Sequence, residues 1–401
     1  AFEPTKNILD SELNCPILGV LRIASHAMRG RPQLDLFGLA KGGSGHNRFQ
    51  NGAGKFDPQK TRSVGLDLTY SLTGTLALVG TLQPDFSNVE VDQTTIAPQQ
   101  FQRNLTEYRP FFSQGGRYIN TVTGAQLNGY DPILFYTPSI GIFERGEKVE
   151  GTLRNSSIGL LDVVGNGFND AALGYAYTSG DSAFSAEFQA VRARHGATTD
   201  NVAAFGLRRR NIHSGEETAV SLESENGSSV STMGAARSLN IAEALQTQRW
   251  FNAIVWRDTG PQFSPADGLT LVNDIRGFQA LAEYTGGGSV SGTIKSYDIR
   301  GTADRFLDRS GSVRNADVLG AADVTFKNLL SVTLSGGATE LRSYNKPFPV
   351  YSAPVTTRFN QTLIAVGYRD GTSAPLDVSY AAGPFGAGGT REQQFLQQIT
   401  A

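Results

Sequence analysis

Apolar residues recur at every second position in segment after segment of this chain. Val64, Leu66, Leu68, Tyr70 and Leu72 alternate with Gly65, Asp67, Thr69 and Ser71, which turns apolar side chains to one face of a strand and small or polar ones to the other. The same period returns in Leu173-Tyr175-Tyr177, Phe184-Ala186-Phe188, Trp250-Asn252-Ile254-Trp256, Phe278-Ala280-Ala282-Tyr284, Ala322-Val324-Phe326, Ile364-Val366-Tyr368 and Leu376-Val378-Tyr380. Between these runs stand turn formers: Asn-Gly at 51–52, 128–129 and 226–227, Ser-Gly-Asp at 179–181, Asp-Gly at 267–268 and 370–371, and three glycines at 286–288. Helical periodicity is nearly absent, so the pattern predicts an all-β fold.

Two architectures satisfy such a pattern: a soluble barrel, sandwich or propeller, and an outer-membrane barrel with an apolar outer face and a polar interior. The non-apolar face is rich in Gly, Ser, Thr, Ala and Gln rather than Lys and Glu. Tyr or Trp stands near strand ends, as at Tyr70, Tyr177, Trp250, Trp256, Tyr284, Tyr368 and Tyr380, which suits an interfacial aromatic girdle. Leu66, Leu68, Tyr175, Phe188, Ile254 and Val366 are therefore expected to face lipid, and Asp67, Thr69, Glu187 and Asp377 the interior.

Composition narrows the choice. The chain has 401 residues, 39% hydrophobic and 18% charged, which supplies a core and excludes disorder. Glycine, at 46 residues against 16 prolines, is abundant without a collagen or linker pattern. Thirty-five basic and 37 acidic side chains nearly cancel, leaving no electrostatic footprint for nucleic acid. Cys15 has no second cysteine to pair with. No apolar run reaches the roughly 18 residues of a membrane helix; the nearest, Leu76 to Leu82 and Phe251 to Trp256, are strand-sized.

One stretch is distinctive: Gln83-Pro84-Asp85-Phe86-Ser87-Asn88-Val89-Glu90-Val91-Asp92, then Phe101, then Glu107-Tyr108-Arg109-Pro110-Phe111-Phe112-Ser113-Gln114-Gly115. It resembles a family of bacterial outer-membrane β-barrel proteins in which the barrel follows a family-9-like carbohydrate-binding module. The segments Cys15 to Leu39, Ile158 to Val163, Gly260 to Phe263 and Asp274 to Gly277 stand in the matching order. The resemblance implies an antiparallel transmembrane β-barrel of the outer-membrane type. The barrel is then expected over residues 14–401, with roughly 16–20 strands, after a lead segment 1–13. It also implies outer-membrane lipid and lipopolysaccharide as surroundings. The module itself has no counterpart among residues 1–14, and Thr400-Ala401 lacks the terminal aromatic usual in such barrels. The expectation is that the last strand pairs with a second chain, an envelope partner, or further residues of a longer polypeptide.

Among candidate chemistries, His26, His46, His195 and His213 show no metal-ligand spacing, and neither a metal nor another cofactor is expected. Gly42-Gly43-Ser44-Gly45-His46 has neither the context of a nucleophile elbow nor the Lys-Ser/Thr ending of a phosphate loop. Arg208-Arg209-Arg210, close to Glu216 and Glu217, suits a barrel rim or solvated lumen. Residues 83–116 are too long for a hairpin turn and carry Asp85, Glu90, Asp92, Arg103, Glu107, Arg109, Phe111 and Phe112. A carboxylate pair for glycoside hydrolysis is one reading. Ion pairing that anchors an inward-folded loop, or narrows a pore, is the stronger one. The resulting expectation is a non-enzymatic channel or membrane anchor of the bacterial outer membrane; the alternative is a protein that holds or processes a saccharide on its loops.

Overall fold

The computed structural model describes residues 32–46, 56–84, 107, 109–113, 116–122, 132–231, 233–270, 272–343, 355–368, 376–382 and 396–400. Its first nine strands are β1 (Gln33–His46), β2 (Phe56–Ser71), β3 (Leu76–Leu82), β4 (Phe143–Leu153), β5 (Ser156–Gly165), β6 (Phe168–Thr178), β7 (Phe184–His195), β8 (Thr198–Asn211) and β9 (Glu216–Gly227). The remaining nine are β10 (Arg237–Gln246), β11 (Trp250–Thr259), β12 (Ile275–Gly287), β13 (Ile294–Leu307), β14 (Val313–Phe326), β15 (Leu330–Ser343), β16 (Val355–Tyr368), β17 (Leu376–Ala382) and β18 (Leu396–Thr400). All belong to one 18-stranded sheet. Each strand pairs antiparallel with the next in sequence, from β1 with β2 to β17 with β18. No register of β18 against β1 occurs among the described residues. Helix among them is limited to one turn at Pro110–Ser113 and three short 3-10 turns, and no helix is long and apolar enough to cross a membrane.

The two faces of the sheet differ sharply. On the outer face the alternating large apolar residues remain uncovered: Tyr175, Phe188, Phe205, Leu222, Ile254, Ile299, Leu334, Ile364 and Val366 are all exposed. The inner face carries Asp170, Gln189, Glu223, Asn240, Arg257, Gln279, Asp304 and Asn315, all buried. Leu66 and Leu68 are half-buried, as is Asp67, which accepts from Thr81 Oγ1 at 2.6 Å; Thr69 is exposed. The side chain of Asp377 lies outside the described residues.

The ends of the sheet differ too. At one end the connections are short: 72–75, 154–155, 179–183, 212–215 and 247–249. Tyr70, Tyr177, Phe184, Trp250, Tyr284, Tyr297 and Tyr368 stand on strands at this end, and Trp250, Tyr284 and Tyr297 stack with centroids 4.5 and 5.7 Å apart. Trp256, opposite Phe278, is nearer the other end. That end holds the long connections 83–142, 228–236 and 260–274 beside two tight turns, where Gly167 and Gly196 adopt φ of 82° and 60°.

Three sequence expectations need correction. The insertion between β3 and β4 runs over 83–142 rather than 83–116. Asn226-Gly227 does not form a turn but ends β9, and Gly286-Gly287 likewise ends β12. Pairing with Asp200 and Asn201 on β8, and with Tyr297 and Ser296 on β13, satisfies their backbone groups there and overrides the local turn preference.

Candidate functional site

The described residues of the inserted segment from 107 onward lie on the inner face of β4–β8. At its residues 107–109 stands a partly buried ion pair: Arg109 Nε and Nη2 donate to Glu107 Oε1 and Oε2 at 2.9 and 2.7 Å. The same guanidinium donates to the carbonyls of Ile140 at 2.9 Å and Thr137 at 2.5 Å, tying residues 107–109 to the last residues before β4. The side chains are only 12% and 14% exposed. Burial pushes the Glu107 carboxyl up, but the hydrogen bonds and charge of Arg109 outweigh it and hold the group below its ordinary 4.5.

Pro110 then opens a helical turn, where its missing N–H costs nothing. This turn delivers Phe111 and Phe112 to Phe143, with three centroid distances of 5.2, 5.4 and 5.3 Å. Arg109 lies 4.4 Å over the Phe112 ring, and Lys148 Nζ 5.5 Å over Phe111. The rings join Ile119, Val122, Leu134, Phe135 and Ile140 of the insertion in one core with Leu161, Val163, Ala172, Val191, Val202 and Ala204 of the sheet.

Two glycines admit the insertion's backbone. A Cβ on Gly159 would meet Tyr118 O at 2.4 Å, and one on Gly174 would meet the same oxygen at 2.2 Å. Polar contacts fix the register. Thr121 Oγ1 donates to Phe188 O at 2.8 Å, and Asn120 Oδ1 accepts from Gln189 Nε2 at 2.8 Å while its amide donates to Phe135 O.

Farther along, Ile133 and Leu269 exchange backbone hydrogen bonds at 2.9 and 2.8 Å, so the insertion reaches the 260–274 loop. Carboxylates hold that loop in turn: Glu225 Oε2 accepts from Ser264 N at 2.6 Å and Asp200 Oδ2 from Ala266 N at 2.8 Å. Next to them His195 Nε2 lies 3.0 Å from Asp170 Oδ1 and 3.4 Å from Asp267 Oδ1. Burial, then the charge of Asp170, pushes the Asp267 carboxyl up to about 7.

Of the sequence candidates, Glu107, Arg109, Phe111 and Phe112 are thus brought together, whereas Asp85, Glu90, Asp92 and Arg103 lie outside the described residues. Arg208 and Arg210 both pair with Glu217, at 3.3 and 2.7 Å. The gathering of His195 with Asp170 and Asp267 escaped sequence reasoning. Asp267-Gly268 carried only a turn signal, and no short spacing links the three.

A family described as a domain of unknown function (DUF5916) matches residues 46–122. No curated protein matches the chain. Among solved structures the chain is similar to a bacterial polysaccharide outer membrane secretin, at 10% identity and a TM-score of 0.31, over 79% of this chain and 93% of that one.

Proposed function

We propose that this chain is an outer-membrane β-barrel whose inner face over β4–β8 is covered by part of its own inserted segment, working as a channel or membrane anchor rather than an enzyme. The observation that carries the reading is the inverted polarity of the sheet: exposed Phe188, Phe205, Ile254 and Val366 outside, buried Gln189, Arg257 and Asp304 inside. Contiguous apolar patches above a few hundred Å² are rare on soluble monomers, and lipid is the solvent that suits a continuous outer band.

Three further observations support it. Strands β4–β16 have 10–14 residues, enough for the roughly 9–11 that cross a bilayer at a tilt. Outward positions on β7 stay apolar from Phe184 to Ala190, about 20 Å of strand, before Arg192 begins a charged edge. Arg276, Arg305 and Arg358 extend this edge on β12, β13 and β16, where Arg276 pairs with Asp258 and Arg358 with Glu340. Glu243 and Asn252 interrupt the band near the short turns. Short turns with the aromatic girdle would then face the periplasm, and the insertion the outside. Because unpaired backbone edges are not tolerated in hydrocarbon, the reading requires β18 to meet β1 or a partner strand.

The test is site-directed labelling in a Cys15→Ser background. Cysteines at Phe188, Ile254 and Val366 should be reached by lipid-soluble spin probes, and cysteines at Gln189, Val255 and Thr333 should not. Equal access to both sets, or full solubility without detergent, refutes the proposal.

A further inference from the structure

We propose that Asp170, His195 and Asp267 form a site for one divalent cation of mixed nitrogen and oxygen preference, such as Zn2+ or Mn2+, which fastens the 260–274 loop to β6 and β7. The geometry stands whether or not the sheet closes in a membrane. The three residues each offer a ligand atom, and these atoms lie within 4.8 Å of one another. One imidazole nitrogen and two carboxylates suit such ions better than Ca2+ or Mg2+, which favour all-oxygen shells.

Two observations point to a cation rather than to a plain hydrogen-bonded triad. The first is unmet acceptor capacity. Asp170 and Asp267 have side chains only 1% exposed, yet their Oδ2 atoms meet no donor among the described residues. Buried carboxylate oxygens are normally bonded, and His195 Nε2, with at most one proton, cannot serve both groups fully. The second is charge. Asp200 Oδ2 and Glu225 Oε2 accept from Ala266 N and Ser264 N of the same loop, so four carboxylates gather at this end of the sheet beside His195. Two carboxyls pressed together must share either a proton or a cation.

Access is available as well. The His195 side chain is 46% exposed, so an ion can enter from solvent and retain water in its remaining positions. Because Leu269 of the loop bonds Ile133 of the insertion, a cation here would fix the surface on which the insertion rests.

The test uses the full, tag-free chain in detergent, stripped by chelator and titrated with Zn2+, Mn2+ or Ca2+ alone by calorimetry. One equivalent of Zn2+ or Mn2+ should bind and slow amide exchange across 260–274. Asp267→Asn and His195→Ala should both lose that equivalent, and His213→Ala, in an exposed turn, should keep it. Absence of saturable binding in the wild type, or binding unchanged in Asp267→Asn or His195→Ala, overturns the site. Should those variants fail to fold, pulsed EPR of the Mn2+-loaded wild type decides: nitrogen coupling from an imidazole is expected, and an all-oxygen shell overturns it.

Discussion

The inner faces of β4–β8 and of β9–β15 belong to one sheet, yet they are built differently. Across β5–β8 the inward positions include Gly159, Leu161, Val163, Ala172, Gly174, Val191, Val202 and Ala204, and the insertion lies on them. Across β9–β15 they include Glu217, Ser221, Asn240, Arg257, Gln279, Asp304, Asn315, Asp323 and Thr333. There polar side chains bond one another: Asn315 Nδ2 donates to Asp304 at 2.8 Å and Asp317 at 2.9 Å, while Arg300 and Thr333 both donate to Asp323. What an inward position faces decides its chemistry. Where a segment of the chain covers it, burial favours small apolar groups that let backbone approach; elsewhere the same alternation carries polar and charged side chains, several of which bond one another.

The largest effect should come from breaking the covered half through the sheet alone. Gly174→Val puts a side chain where Tyr118 O already stands, and should expel residues 116–122 without altering the insertion. Protease cleavage within 83–142 should rise strongly, and reconstituted protein should gain conductance. Gly320→Ala, which meets nothing within 4 Å, should do neither; equal behaviour of the two variants would refute the docking.

Arg109→Ala attacks the same contact from the insertion. It takes the guanidinium from a largely buried Glu107 carboxylate and from the carbonyls of Thr137 and Ile140, so docking should weaken by about 3 kcal/mol, read from the denaturant dependence of amide exchange at 109–122. The double variant Glu107→Gln/Arg109→Ala should recover part of that loss. A double variant no better than Arg109→Ala alone would show that the stranded charge is not the cause.

A smaller effect should follow from acid. The folded Glu107 carboxyl is held below its ordinary 4.5, so its contribution is complete above that value and is lost as pH falls through the lower folded value. Protection at 109–122, taken as exchange relative to the intrinsic rate at each pH, should therefore fall on acidification below about pH 4.5, and Glu107→Gln should flatten the dependence. Protection that rises on acidification would reverse the assigned sign.

The smallest change belongs to the polar half. Thr333→Val removes one hydrogen bond to Asp323, which still holds Arg300 at 3.0 Å. About 1 kcal/mol of global stability should go, with exchange at 109–122 unchanged; faster exchange there would show that the halves are coupled.

Much of the sheet was legible in the sequence because strand period is local: Leu76 to Leu82 reads as a strand and is β3, and Tyr70, Tyr177 and Trp250 read as strand ends. Alternation also marked which residues share a face, since side chains two apart must point the same way. The segment around Glu107, Arg109, Phe111 and Phe112 was conspicuous because charge and aromatics are dense within a few residues. Sequence could not say what that segment covers. Its partners Gly159, Gly174 and Gln189 look like ordinary strand residues until the hairpins of β5–β7 bring them side by side. The cluster of Asp170, His195 and Asp267 was equally hidden, because strand pairing joins the first two and docking of a distant loop adds the third. Periodicity is fixed by backbone geometry residue by residue, whereas a site assembled from three separate elements exists only once the sheet has closed those distances.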